Sequence, residues 1–411
     1  MPTWMDDDLE DRRRRGLYRV RRRLQSAPGA RVRRRGREFL NFASNDYLNL
    51  AADPRLARAA ARAARRYGCG AGASPLVCGH LPPHHALERT LADWEGTEAA
   101  LVFSSGFAAN LALVGSLVGR QDVVFSDELN HASLIDGCRL SRARVHVYRH
   151  GDANHLQDLL RREGSGARRR LIVSDTVFSM DGDLAPLADL IDLARRYDCL
   201  LLIDEAHATG VLGPHGRGAT ELLPADVSPD PDRLIKVGTL SKALGAQGGF
   251  VCGPRRLIAW LVNFARPYIY STGLAPPVAA AARRAVAIVR QEPERRRHLL
   301  ALAELLRDRL RLLGGPGVGA WSGDRAPTRG SRCQIVPLVV GEARAAVRLS
   351  RRLEERGLLV PAIRPPSVPE GTARLRISLT AGHTEEDVLR LVAALGECLK
   401  HAAPTETPAP P

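Results

Sequence analysis

The sequence predicts an α/β protein: a large domain with a mostly parallel sheet covered by helices, plus a smaller α/β C-terminal domain. Three observations carry this. Short apolar runs alternate with helical stretches from about residue 99 to 253, the order that builds a parallel sheet with both faces covered. The pattern changes after Pro276-Pro277, where two long helical stretches precede a second set of strand signals. A chain of 411 residues can also bury a core large enough for two domains.

Taken in order, residues 1–38 read as a charged helix followed by a turn at Pro28-Gly29. A short strand, 39–42, then leads into Ser44-Asn45-Asp46-Tyr47-Leu48. The alanine-rich run 54–67 reads as a helix stopped by Gly68. Strand candidates follow at 100–103, 123–125, 170–173, 200–203, 234–237 and 249–251. Helices at 278–291 and 294–313 and strands near 334–340, 358–363 and 374–379 make the smaller domain. The expected domains are 1–45, an N-terminal helical segment with a short strand; 46–280, the large domain; and 281–400, the small one. The proline- and threonine-rich tail 401–411 is expected to be disordered.

Composition narrows the class. With 45% hydrophobic and 26% charged residues the chain matches an ordinary soluble globular protein. No apolar run reaches the ~18 residues that span a membrane. The N-terminus is acidic, then arginine-rich, without a signal-peptide core, so a cytoplasmic location is expected. The seven cysteines are scattered and form no C-x-x-C pair, so free thiols are expected and no metal site or disulfide framework. The net charge of +15 comes almost wholly from arginine, because the only lysines are Lys236, Lys242 and Lys400. No stacking aromatics, zinc-finger spacing or helix-turn-helix accompany that charge, which argues against nucleic acid. Steering of acidic substrates is a better use for it.

Chemistry concentrates where strands end. Leu200–Ile203 is followed by Asp204-Glu205-Ala206-His207, and open α/β sheets gather functional groups at the carboxyl ends of their strands. A buried Asp204 there could pair with a protonated ring nitrogen, or simply cap the next helix. Lys242, in Thr239-Leu240-Ser241-Lys242-Ala243-Leu244-Gly245, follows a strand and sits among small apolar residues. Partial burial there would lower an amine's pKa and free it for imine formation. Ser104-Ser105-Gly106-Phe107-Ala108-Ala109-Asn110 opens a helix directly after a strand, where free N–H groups favour an anion, although a plain capped helix reads the same way. His131 follows the 123–125 strand and Ser179 the 170–173 strand. Gly68-Cys69-Gly70-Ala71-Gly72 follows a helix rather than a strand, which makes it a tight turn and not a dinucleotide loop.

Together these segments resemble the α-oxoamine synthases, pyridoxal-5′-phosphate (PLP) enzymes of fold type I. The matches run in order from about Arg21 to His383 and include SNDYL (44–48), SSGFAAN (104–110), NHASLID (130–136), VFSMDGD (177–183), DEAHATG (204–210), TLSKALG (239–245) and YSTGLAPP (270–277). The stretch 362–376 is most similar to the branch that condenses L-alanine with a pimeloyl thioester, on coenzyme A or an acyl carrier protein, in biotin synthesis. The resemblance implies a homodimer and a set of roles. Lys242 would be the Schiff-base lysine, Asp204 the partner of the pyridine nitrogen, and His207 a contact of the phenolic oxygen. His131 would stack on the ring. Ser105, Gly106, Phe107, Ser179 and Thr239 would surround the cofactor, with Thr272 supplied to the phosphate of a partner subunit. Asn45, Ser367, Arg376 and Arg21 would bind substrate, Arg376 through the amino-acid carboxylate. Asp175 stands where this branch carries glutamate, and Pro75 and Cys78 also depart from its pattern. The competing readings are a relative using glycine or serine with another acyl-CoA, an aminotransferase of the same fold, and a basic nucleic-acid-binding protein without catalysis.

Overall fold

The structure, a computed structural model, describes residues 3–164, 166–313 and 333–400. The expected tail at 401–411 lies outside them. The chain divides into two compact units. The larger holds Asp46–Ser179 and Asp183–Arg296, and the smaller Met1–Asn45, Met180–Gly182 and Arg297–Pro411. Residues 281–296, expected in the small domain, therefore belong to the larger unit.

The N-terminal reading needs correction. Only Trp4–Arg14 is helical (α1), and it ends at Gly16, whose φ of 68° leaves the helix. Arg31–Arg34 (β1) and Arg37–Asn41 (β2) form an antiparallel hairpin around Arg35 and Gly36, both at positive φ. Such a two-residue turn matches the twist of the strands it joins. The arginine run hides β1 in the sequence, because Val32 is its one buried residue; in β2 Phe39, Leu40 and Asn41 are buried, and Val32 and Phe39 meet Leu359.

In the larger unit, α2 (Pro54–Tyr67) begins with Asp53 accepting the N–H of Arg55 at 2.8 Å and stops at Gly68, φ 78°. Then come α3 (Pro82–Glu95), β3 (Ala99–Phe103), α4 (Gly106–Leu117), β4 (Val123–Asp127), α5 (Ala132–Ser141), β5 (Arg144–Tyr148), α6 (Ala153–Glu163), β6 (Arg170–Asp175), α7 (Leu187–Arg196), β7 (Leu200–Asp204), β8 (Leu234–Thr239), β9 (Gly249–Gly253), α8 (Arg255–Phe264), α9 (Arg266–Ile269) and α10 (Pro276–Gln291). The seven strands lie in the order β3-β9-β8-β7-β6-β4-β5. β9 alone runs antiparallel to its neighbours, so β3, β4, β6, β7 and β8 all present their carboxyl ends at one end of the sheet. All five residues of β4 are buried. Leu113 of α4 and Leu261 of α8 pack with Val124, Val173, Leu202, Val237 and Val251 from the sheet. Each such side chain stabilises the fold by about 1.5–3 kcal/mol, so a charge at Val173 would unfold the unit that carries the site.

β5 was not foreseen. It is an edge strand in which Arg144 and His146 alternate with exposed Val145 and Val147, so it shows no continuous apolar run. In the smaller unit, α11 (Glu294–Leu313, beginning in the larger) is followed by β10 (Ile335–Gly341), α12 (Ala343–Glu355), β11 (Leu358–Leu359), β12 (Ala362–Ile363), β13 (Ala373–Ser378) and α13 (Glu385–Lys400). The single strand expected at 358–363 is two short ones. β11 pairs with β2 and β12 with β13, and Pro361 between them has no N–H to continue a ladder.

Candidate functional site

The carboxyl ends of the parallel strands place most of the expected residues together in the larger unit. β8 ends at Thr239, and the turn beyond it carries a half-buried Lys242. Lys242 Nζ lies 2.8 Å from His207 Nε2, and His207 Nδ1 lies 2.6 Å from the Tyr47 hydroxyl. His207 and Tyr47 are buried, so this line of three groups shares its protons away from bulk water. The turn holds its shape through Gly245 at φ 59°. A Cβ there would meet the backbone N of Ala51 at 2.4 Å, so only glycine lets the 46–51 loop lie against the Lys242 turn. That loop is tied by Asp46, which accepts the N–H groups of Leu50 and Ala51 at 2.8 and 3.1 Å.

Asp204 is the last residue of β7 and is buried. Its Oδ1 accepts the N–H of Ala206 at 2.7 Å and its Oδ2 accepts an amide hydrogen of Asn110 at 2.6 Å. The same Asn110 amide donates to Ser133 Oγ at 2.8 Å, and Ser133 Oγ lies 2.7 Å from His131 Nδ1. A continuous polar path thus joins the ring of His131 to the carboxylate of Asp204. His131 is exposed, as a residue that meets a bound cofactor must be. The protein around it still strips enough water to hold its pKa below the ordinary value, opposed by Asp204 and aided by Lys242. The backbone N–H of His131 donates to Asp175 Oδ2 at 2.6 Å. Asp175, paired in register with Asp204, has its pKa pushed well up, first by burial and then by the Asp204 charge.

The anion cradle is the N-terminus of α4. Ser105 Oγ caps the helix by accepting the N–H of Ala108 at 3.0 Å, leaving the N–H groups of Gly106 and Phe107 without an intrahelical acceptor. Gly249 of β9 makes room: a Cβ there would fall 2.5 Å from the N of Gly106. Thr239 is buried beside this helix start, its hydroxyl donating to Gly248 O at 3.0 Å. Phe107 stands edge-on to His131 with ring centres 6.4 Å apart. Ser179 lies half-buried in the turn after β6.

Five expected residues remain: Arg21, Asn45, Ser367 and Arg376 of the smaller unit and Thr272 of the larger. In the smaller unit Arg376 is buried and donates from Nη1 to Asn45 Oδ1 at 3.0 Å and to Ser378 Oγ at 2.7 Å, so two of the substrate candidates meet. Ser367 is exposed, its N–H bonded to Arg364 O at 3.0 Å. Arg21 is exposed; Arg19, Arg22 and Arg351, not Arg21, are the arginines whose charge adds to burial in lowering the pKa of Arg364. Thr272 of the larger unit is exposed.

The donor set suits PLP: an amine for its aldehyde, a carboxylate for its pyridine nitrogen, an exposed histidine and a helix N-terminus for its phosphate. Buried Thr209 Oγ1 and Asn110 Oδ1, beside this set in the chain, have no protein partner. Among the described residues no cluster of three His, Cys, Asp or Glu side chains could hold a metal. Tyr47, Asn110 and Ser133 lie inside the quoted motifs without an assigned role. Their part is visible only once the fold brings residues 47 and 207, or 110 and 204, together.

The chain is similar to known proteins over most of its length. A family model described as aminotransferase class I and II matches residues 37–395. The chain is 51% identical to the 8-amino-7-oxononanoate synthase of Alkalilimnicola ehrlichii over 396 residues, covering 96% of this chain and 97% of that one. A serine palmitoyltransferase from S. paucimobilis, solved with PLP and myriocin bound, superposes with a TM-score of 0.87 at 28% identity, covering 96% of each chain. An 8-amino-7-oxononanoate synthase from Francisella tularensis superposes with a TM-score of 0.73 at 29% identity, over 89% of this chain and 98% of that one.

Proposed function

Because the chain belongs to the aminotransferase class I and II family, we infer that it uses PLP to condense L-alanine with a pimeloyl thioester. The products are 8-amino-7-oxononanoate, CO2 and the free thiol carrier, a step of biotin synthesis. The observation that carries the reading is the Tyr47–His207–Lys242 line set beside Asp204 at the strand ends. The lower identity to serine palmitoyltransferase ranks a serine-using reaction second.

PLP, when bound, supplies an electron sink for a carbanion at the alanine α-carbon. Lys242 would hold it through Nζ and, as a free amine, would take the alanine α-proton. His207 and Tyr47 hold Nζ in place and keep its proton supply out of bulk water. Asp204, oriented by Asn110 and Ala206, keeps the pyridine nitrogen protonated, and His131 covers one face of the ring. The first amides of α4, with Ser105, Ser179 and Thr239, take the phosphate end. Arg376, steadied by Asn45, binds the alanine carboxylate, and Ser367 and Arg21 contact the acyl substrate. Thr272 serves a partner subunit in a homodimer. Seven free thiols suit a reducing, cytoplasmic compartment. No described helix is long and apolar enough to cross a membrane.

The test is spectroscopic. Purified protein loaded with PLP is titrated with L-alanine, glycine or L-serine, then given pimeloyl-CoA or pimeloyl-acyl carrier protein. A visible band that responds chiefly to alanine, with thiol and CO2 released on adding the thioester, supports the assignment. A response chiefly to glycine or serine overturns the substrate, and no PLP binding overturns the reaction class.

A further inference from the structure

The loops that carry His131 and Ser179 share a tie outside the residues assigned above. His150, in the turn after β5, sets its ring between two carboxylates. Nδ1 lies 2.9 Å from Asp127 Oδ1, and Nε2 lies 2.8 Å from Asp183 Oδ2. Asp127 ends β4 and opens the turn that leads to His131. Asp183 closes the loop after β6, where its carbonyl accepts the N–H of Phe178 at 3.0 Å. The His150 ring also stands edge-on to buried Phe178, centres 4.3 Å apart, and Ser179 is the next residue.

Carboxylates only accept, so both ring nitrogens must donate, and imidazole carries two N–H groups only when protonated. Asp127 is fully engaged: its Oδ1 also takes the N–H of Leu129 at 2.8 Å and its Oδ2 that of Gly151 at 3.0 Å. The backbone N–H of His150 donates to Glu128 Oε2 at 3.5 Å, which fixes the turn but not the ring. Burial opposes the charge on the ring, but the hydrogen bonds to Asp127 and then Asp183 outweigh it and push its pKa up to about 10.

We propose that His150, as an imidazolium bridging Asp127 and Asp183, is a positioning residue that holds the His131 and Ser179 loops together and thereby sets PLP affinity and the seating of its ring. This rests on the PLP reading above. It is tested on full-length apo protein reloaded with PLP, reading the dissociation constant by fluorescence quenching and the seating by visible circular dichroism of the bound cofactor. His150→Gln cannot donate to both carboxylates, and PLP affinity falls about tenfold or more, with a changed dichroism. His150→Arg can reach both with its fork of donors and restores most of that loss. Asp183→Asn keeps the Asp127 pair but loosens the bridge, and gives an intermediate loss. Should His150→Gln fail to fold, Asp183→Asn decides by the same readouts. Wild-type affinity and dichroism in the folded variants, with only thermal stability lowered, would overturn the proposal. So would an arginine variant that restores stability but not PLP binding. A wild-type protein that binds no PLP would sink the functional reading instead.

Discussion

The two ends of β8 hold the chain's two internal lysines in different company. Lys236, within the strand, donates to Glu95 Oε2 at 2.5 Å and to Arg217 O at 2.9 Å. Burial works against its charge, yet Glu95 and then Glu205 raise its pKa, so it stays an ammonium. Lys242, past the carboxyl end, meets the imidazole of His207 at 2.8 Å. A carboxylate locks a lysine's proton in place, whereas an imidazole can share or exchange it. Partial burial alone does not distinguish a structural lysine from a reactive one. The chemistry of the partner does.

The largest effect is expected at Lys242. Lys242→Ala removes the proposed anchor and base, so turnover falls by at least ~10²–10⁴-fold, the worth of a placed proton-transfer group. The visible absorbance that PLP gains through Lys242 disappears as well, and a spectrum with a CO2-release assay reads both. Retained turnover would break the comparison outright.

Next comes Lys236. Lys236→Ala strands Glu95, whose side chain is 2% exposed, as a buried unpaired carboxylate. Leaving one partner of a buried pair alone costs about 3–5 kcal/mol. Denaturant unfolding should show that loss, while turnover per folded, PLP-loaded molecule stays at the wild-type level. The double variant Lys236→Met with Glu95→Leu should recover most of the stability. A Lys236→Ala protein that folds normally but loses turnover would reverse the roles of the two lysines.

How legible this was depended on the kind of signal. Buried parallel strands announce themselves as apolar runs, so β4, β6, β7 and β8 and the residues just beyond them, His131, Ser179, Asp204, His207 and Lys242, could be read from the chain. The edge strand β5 and the hairpin strand β1 could not, because solvent on one side lets arginine and histidine interrupt the pattern, whereas β2 shows in the strand signal at 39–42. Partnerships were the other blind spot. His150 looks like any loop histidine until Asp127 and Asp183 arrive on either side of it. Asn110 looks like a polar residue in an apolar helix, and nothing local says that Asp204 is its acceptor. Thr272 and Arg21 are exposed in the single chain, so their expected roles were legible only through family likeness.

Asn110 gives the finest test of how a partner sets a group's chemistry. Its amide holds Asp204 Oδ2 with one hydrogen and Ser133 Oγ with the other. Asn110→Ala leaves the buried Asp204 oxygen without that donor, a penalty of about 1–3 kcal/mol. On the proposed role of Asp204 at the ring nitrogen, part of that penalty appears as a lower turnover, up to about tenfold for each 1.4 kcal/mol. Ser133→Ala separates the two arms. It cuts the path to His131 but leaves the bond to Asp204, so turnover should stay closer to wild type while PLP binds more weakly. Equal losses in the two variants would mean that the path acts as one unit, with the ring-stacking histidine and the ring-nitrogen carboxylate tuned together. A loss confined to Asn110→Ala would place the whole effect on Asp204, the counterpart of what His207 does for Lys242.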